Sequence, residues 1–236
     1  MILAAGRGER MRPLTDYTPK PLLLAGGKPL IVWHIERLVA AGITDLVINH
    51  AHLGKQIEQT LGEGSQFGAR IQYSDEGTAL ETAGGIAFAL PMLGEEPFAV
   101  VNGDIYCDYD FSHLPAQAAE LADNEDMAHL VLVDNPEHNL KGDFCLSDGR
   151  IVPTPQIPNP KSQILTFSGI GLYKPALFAG IARGSKAPLA PLLREQIALH
   201  KVSGEYHQGV WMDIGTPQRL EELDKQLRAS QNAGHV

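Results

Sequence analysis

The residues best placed to do chemistry lie at the start of the chain. An apolar run, Met1 to Ala5, empties into Gly6-Arg7-Gly8-Glu9-Arg10; Arg12 follows, and Lys20 is clamped between Pro19 and Pro21. Glycine lets backbone N–H groups come close to an anion, and successive N–H groups in a turn form an anion-binding concavity. A phosphate chain suits such a loop. It is not one of the two commonest phosphate loops. A dinucleotide fingerprint needs a third glycine where Met11 stands, and a Walker A loop needs a glycine at Leu22 and a Ser or Thr at Pro29 to frame Gly26-Gly27-Lys28. Two carboxylates complete the set. Asp104 ends the run Phe98-Ala99-Val100-Val101-Asn102-Gly103, and Asp213 closes Gly209-Val210-Trp211-Met212. Each could be a turn aspartate. As a pair they could hold Mg²⁺, which needs only one or two carboxylates beside substrate phosphates and waters.

Leu3-Ala4-Ala5-Gly6-Arg7-Gly8-Glu9-Arg10-Met11-Arg12-Pro13-Leu14-Thr15 with Pro19-Lys20-Pro21-Leu22 resembles the signature of the sugar-1-phosphate nucleotidyltransferases. The similarity continues through Val101-Asn102-Gly103-Asp104 and Trp211-Met212-Asp213-Ile214-Gly215-Thr216, and so covers nearly the whole chain. Leu80-Glu81-Thr82-Ala83-Gly84-Gly85 and Phe167-Ser168-Gly169-Ile170-Gly171 resemble the uridylyltransferases of peptidoglycan recycling.

The resemblance implies that a sugar 1-phosphate attacks the α-phosphorus of a nucleoside triphosphate and expels pyrophosphate. It assigns Lys20 to the α-phosphate or the sugar phosphate, Arg10 to the β- and γ-phosphates, and Asp104 and Asp213 to Mg²⁺. The attacking oxygen is already anionic, so no general base is needed; catalysis reduces to aligning two anions and neutralising charge. Nucleotide contacts are implied for Leu3, Ala4, Ala5, Gly6, Gly8, Glu9, Arg10, Lys20, Glu76, Gly85 and Asn102. Relatives that transfer uridylyl or thymidylyl groups often carry Gln where Glu76 stands. A carboxylate can only accept hydrogen bonds, which also suits guanine and leaves guanylyl transfer to mannose 1-phosphate as the alternative. Glu81 stands where many relatives have glycine; it is either a helix-start acid favoured by the macrodipole or a ligand contact. The sugar side is implied to involve Gly142, Asp143, Ser168, Gly169 and Lys161. Pro158-Asn159-Pro160-Lys161 replaces the family's Glu-Lys-Pro, and losing that glutamate would suit a sugar bearing its own carboxylate. A non-catalytic nucleotide-sugar sensor of the same fold should have lost one of Arg10, Lys20, Asp104 or Asp213, and all four are present.

These residues need elements to position them. Short β-type runs alternate with helical patterns, as expected of an α/β fold with a Rossmann-like, mostly parallel (mixed) sheet flanked by helices. Strands are expected near 1–4, 45–49, 70–74, 97–101, 128–133, 142–146, 166–173, 201–206 and 210–214. Helices are expected over 29–41, 53–61, 82–90, 113–122, 175–182, 188–199 and 217–230. The prolines of 153–160 predict an unstructured loop, and the tail from Ser230 is expected to fray. The first strand is short: either it is clipped or native residues precede Met1. Residues 1–236 read as one domain, with no hexapeptide repeat of the kind that builds a C-terminal left-handed β-helix.

The 236 residues are 44% hydrophobic, enough for a full α/β core. The net charge of −9 argues against nucleic acid, while Arg7, Arg10, Arg12, Lys20 and Lys28 outnumber Glu9 and Asp16 near the N-terminus. Small, highly charged substrates are the expected partners. No apolar run reaches membrane-spanning length, and without a basic n-region and cleavage site secretion is not expected. Cys107 and Cys145 fit neither metal nor redox spacing, so a reducing cytoplasmic location is expected. His50-Ala51-His52 has metal-like spacing without a third ligand and reads better as a loop lining the nucleotide site. His34 reads as a packed or surface residue.

Overall fold

The computed structural model describes residues 1–153 and 162–233. Its strands are β1 (Ile2–Leu3), β2 (Leu24–Ala25), β3 (Lys28–Pro29), β4 (Asp45–His50), β5 (Arg70–Asp75), β6 (Phe98–Asn102), β7 (Ile105–Cys107), β8 (Ala128–Val133), β9 (Phe144–Ser147), β10 (Arg150–Val152), β11 (Ser162–Tyr173), β12 (Val202–Tyr206) and β13 (Trp211–Asp213). Its α-helices are α1 (Leu30–Ala40), α2 (Gly54–Leu61), α3 (Glu81–Leu93), α4 (Leu114–Asp123), α5 (Leu189–Ala198) and α6 (Pro217–Ala233). The fold is α/β with mixed strand pairing and flanking helices. The chain divides into two compact units: Ile2–Ala79 with Asn102–Ser112 and the chain from Val210, and Met1 with Leu80–Val101 and His113–Gly209.

The unit that carries the glycine loop is built on parallel strands in the order β5-β4-β1. Five of the six β4 residues are buried, the mark of a strand covered on both faces. Its register pairs Leu3 with Asn49 and His50 with Asp75. The carboxyl ends of β1, β4 and β5 therefore align, and that edge is where open α/β sheets bind ligands. Helix α1 buries Leu30, Ile31, His34, Ile35 and Leu38 at helical spacing; it begins one residue after Pro29, and Gly42 beyond its end takes φ +82°. Met11, Leu23, Ala25, Leu30, Ile214, Leu223 and Leu227 form one buried cluster, so α6 and the loop share a core. Burying side chains of this size stabilises by roughly 1.5–3 kcal/mol each.

The other unit orders its strands β6-β11-β8-β12-β10-β9, with β11 also pairing β9. Strand β11 runs antiparallel to β6, β8 and β9, while β12 and β8 are parallel. A register shift between Phe167 and Ile170 puts a bulge in β11. Parallel pairing thus holds along β5-β4-β1, and antiparallel pairing dominates here.

Most expected elements are present, with four differences. The helix expected over 175–182 is a single 3₁₀ turn, Pro175–Phe178. Strands β2, β3, β7 and β10 are too short to show a periodicity. Strand β11 starts at Ser162 rather than 166. Helix α6 continues past Ser230 to Ala233. Most of the proline-rich stretch, including Lys161, lies outside the described residues.

Candidate active site

The glycine loop is built by close packing. Gly8 has φ +67°, and a Cβ there would stand 3.0 Å from Thr15 Cγ2 and 3.3 Å from Lys20 Cβ, so both conformation and space call for glycine. Thr15 Oγ1 donates to the Gly8 carbonyl at 2.8 Å. A short 3₁₀ turn, Glu9–Met11, follows, and Met11 is fully buried. The residue that breaks the dinucleotide fingerprint is therefore the apolar peg anchoring the loop. Arg7, Glu9 and Arg10 lie on the exposed side, and Arg7 pairs with Glu9 at 3.1 Å.

Lys20 behaves differently from the loop arginines. It is buried to 7% exposure between its prolines, and its Nζ donates to Asp104 Oδ2 at 2.8 Å. Asp104 follows Gly103, whose N–H donates to the Leu3 carbonyl at 2.8 Å; a Cβ at 103 would stand 2.6 Å from that oxygen. Only glycine lets the chain pass this close to β1, and that passage sets Asp104 beside the loop.

Asp213 reaches the same place through an antiparallel pair. Strands β7 and β13 match Ile105 with Asp213, and the Ile214 N–H donates to the Asp104 carbonyl at 2.9 Å. Two aspartates far apart in sequence become neighbours across one ladder. Arg219, in the first turns of α6, donates Nη1 to Asp213 Oδ2 at 2.7 Å. A Cβ on Gly215 would lie 2.9 Å from Asp213 Oδ2 and 3.0 Å from an Arg10 guanidinium nitrogen. The bare backbone of Gly215 thus leaves room for Arg10 beside Asp213. His34 supports the ladder from below: its Nε2 donates to the Ile105 carbonyl at 2.8 Å, while burial pushes its pKa down to about 4.

The carboxylates fit a magnesium ion that shares its ligands with substrate. Among the described residues no group of three or more His, Cys, Asp or Glu is gathered to hold a metal. Two aspartates, each already neighboured by a cation, supply hard oxygen donors but no all-protein cage. Mg²⁺ accepts this arrangement, because it keeps waters and binds phosphate oxygens.

At the aligned strand ends, Asn49 is 3% exposed. Its Oδ1 accepts the Ala4 N–H at 2.8 Å, and its Nδ2 donates to Glu76 Oε1 at 2.6 Å. Ala4 and Ala5 are buried, Leu3 is half-buried, and Asn102 closes β6. His50 and His52 do not form a pair of metal ligands: His50 Nε2 meets Glu58 Oε1 at 2.7 Å, and His52 Nε2 meets the Thr15 carbonyl at 3.1 Å.

The expected sugar-side residues belong to the other unit, where they organise the β11 bulge. Asp143 accepts from Asn139 Nδ2 at 3.1 Å and from the Phe167 N–H at 2.9 Å. Ser168 donates to the Val131 carbonyl at 2.7 Å and accepts the Ile170 N–H at 3.1 Å. Gly142 and Gly169 have φ of +63° and +83°. Asp143 and Ser168 therefore hold backbone in place, rather than presenting free polar groups. Gly85 is buried in α3, and Glu81 is exposed at its start with φ +63°.

Reading residues by type missed Asn49 and Arg219; His34, read as a packed or surface residue, is packed at 1% exposure. A polar residue closing the buried run Leu46-Val47-Ile48 could have flagged Asn49. Nothing in the sequence marks Arg219, since its role depends on the direction in which α6 leaves β13.

A nucleotidyl transferase family model matches residues 1–230. The N-acetylmuramate alpha-1-phosphate uridylyltransferase of Neisseria meningitidis serogroup B is 56% identical, over 94% of this chain and 95% of that protein. Mannose-1-phosphate guanyltransferase beta-B of Xenopus laevis is 30% identical, over 92% of this chain and 61% of its own length. In structure, HddC from Yersinia pseudotuberculosis, complexed with GMP-PN, superposes with a TM-score of 0.75 at 17% identity, covering 95% of this chain and 97% of that one.

Proposed function

This chain belongs to the nucleotidyl transferase family, and from that membership we propose that it transfers UMP from UTP to N-acetylmuramate 1-phosphate, releasing UDP-N-acetylmuramate and pyrophosphate. The observation that carries the chemistry is the convergence on one loop of Lys20 with Asp104 and of Arg10 with Asp213. The choice of uridine and of N-acetylmuramate rests on the 56% identical relative. We read residues 1–236 as one nucleotidyltransferase domain, a reading supported by a single family model spanning both units. The reaction belongs to peptidoglycan recycling in the cytoplasm, where nucleoside triphosphates are made.

In the reaction, a phosphate oxygen of the sugar 1-phosphate forms a bond to the α-phosphorus as the α–β bridging bond breaks. Backbone N–H groups of the glycine loop and the Arg10 guanidinium meet the β- and γ-phosphates. Lys20 turns from Asp104 to the α-phosphate or the incoming sugar phosphate, where its fixed charge offsets the repulsion between the two anions. Asp104 and Asp213 would hold Mg²⁺, which when bound supplies further neutralisation of the phosphate oxygens. Glu76 and the Ala4–Ala5 backbone face the base.

Pyrophosphate release, measured over a matrix of nucleoside triphosphates and sugar 1-phosphates with Mg²⁺, tests this reading. UTP with N-acetylmuramate 1-phosphate should be the best pair, and chelation of divalent cations should abolish release. Preference for GTP with mannose 1-phosphate would overturn the uridylyl assignment. Release from no pair would point instead to a sensing module.

A further inference from the structure

Resting on the reading of the glycine loop as the triphosphate cradle, we propose that Thr15 and His52 are positioning residues that lock the Gly8–Glu9 peptide with its N–H toward the phosphates. Space and a φ of +67° demand glycine at position 8, but glycine also tolerates the conformation in which this peptide is flipped. A flipped peptide would turn a carbonyl oxygen to the anion, so the carbonyl has to be held. The Gly8 carbonyl accepts twice, from the Met11 N–H at 2.9 Å and from Thr15 Oγ1 at 2.8 Å. Both donors belong to buried residues, Met11 at 0% and Thr15 at 2% exposure. In a trans peptide the N–H points opposite to the C=O. The Glu9 N–H is therefore turned away from Met11 and Thr15.

Thr15 is itself held from outside the loop. A carbonyl oxygen can only accept, so the His52 Nε2 that meets the Thr15 carbonyl at 3.1 Å carries the proton. Four residues on, Gln56 Nε2 donates to the Tyr17 carbonyl at 3.0 Å. These two carbonyls lie at the end of the 3₁₀ turn Leu14–Asp16, where a helix leaves its last carbonyls without internal partners. The start of α2 supplies the partners because it packs tightly on the end of β4. Leu53 takes φ +54°, and a Cβ on Gly54 would stand 2.0 Å from His50 Nδ1. The hydrogen bonds thus run from α2 to Thr15 and from Thr15 to Gly8. The two histidines of His50-Ala51-His52 divide the work: His50 meets Glu58, and His52 fastens the loop.

The test titrates UTP and UMP, with GTP and GMP beside them, into the wild type, T15V, T15S, H52A, H52Q and T15V/H52A by calorimetry, with Mg²⁺ and no sugar 1-phosphate. Valine keeps the shape of Thr15 and removes the donor; serine keeps the donor. Losing a hydrogen bond to a charged phosphate costs roughly tenfold or more in affinity. T15V should therefore bind the triphosphate at least about tenfold more weakly. Its affinity for the monophosphate should not change, because the loop serves the β- and γ-phosphates. T15S should stay near the wild type. H52A should weaken the triphosphate in the same selective way, and H52Q, which keeps a donor at the Nε2 position, should restore it. The double variant should match T15V, because His52 acts through the Thr15 hydroxyl. Wild-type triphosphate affinity in T15V, or equal losses of mono- and triphosphate, would overturn the lock and leave the nucleotidyltransferase reading standing. Losses that add in the double variant would take His52 out of it. A wild type that binds neither UTP nor GTP would remove the phosphate cradle and the lock together. Melting temperatures of all six proteins separate these outcomes from loss of fold.

Discussion

At the scale of single residues, charge placement decides the chemistry. Lys20 is the buried cation of the loop and already contacts Asp104, whereas Arg7 and Arg12 make exposed pairs with Glu9 and Asp16. Exposed pairs of that kind contribute little, on the order of 1 kcal/mol or less. Lys20→Ala or Asp104→Asn should lower kcat by at least about a hundredfold, the scale of losing a preorganised charge at a transition state, with an unchanged circular dichroism spectrum. Near-normal turnover in either would remove that residue from the reaction. Glu81 is a case of backbone rather than charge. A non-glycine residue at φ +63° pays a left-handed backbone cost of roughly 1–2 kcal/mol. Glu81→Gly should therefore melt no lower than the wild type, while Glu81→Ala, which keeps the Cβ, should gain nothing.

At the scale of elements, the site is made by short pieces in close contact. Strands β7 and β13 are three residues each, yet they pair Asp213 with Ile105, the residue next to Asp104. Gly103 is the tightest point of that arrangement, with no room for a Cβ beside the Leu3 carbonyl. Gly103→Ala should destabilise by about 1–3 kcal/mol through backbone displacement. It should also reduce activity more than that loss of stability explains, because Asp104 moves with the strand. Denaturant titration and kcat measured on the same protein would separate the two effects. The elements also mark where sequence reading stopped. The long buried strand β4 and the amphipathic α1 are visible by pattern, but a strand as short as β7 has no period to read. The bulge in β11 was equally hidden, since nothing in Phe167-Ser168-Gly169 shows that Asp143, the Val131 carbonyl and the Ile170 N–H hold it.

At the scale of the whole molecule, stability should depend on pH through His34. Its imidazole is buried, donates Nε2–H to Ile105 and has no hydrogen-bond partner at Nδ1, so the neutral form is favoured and its pKa falls to about 4. The unfolded chain takes up a proton near pH 6.5 that the folded chain refuses. The stability contributed by neutral His34 is therefore complete above about pH 6.5 and is lost as pH falls toward 4, amounting to about 2 kcal/mol at pH 5. His34→Gln keeps a donor for Ile105 without the titration. Its melting temperature should fall less than that of the wild type between pH 7 and pH 5; equal falls would exclude His34 as the cause. The sequence by itself determined the class of chemistry, because the glycine loop, Lys20 and its prolines are contiguous and their backbone demands are local. It also determined the α/β alternation, because long buried strands and amphipathic helices carry their period in the chain. The tertiary structure alone decided which cation meets which carboxylate and what orients Glu76. Lys20 and Asp104 lie 84 positions apart, and only the packing of backbone against glycine and the register of paired strands brings them within 2.8 Å.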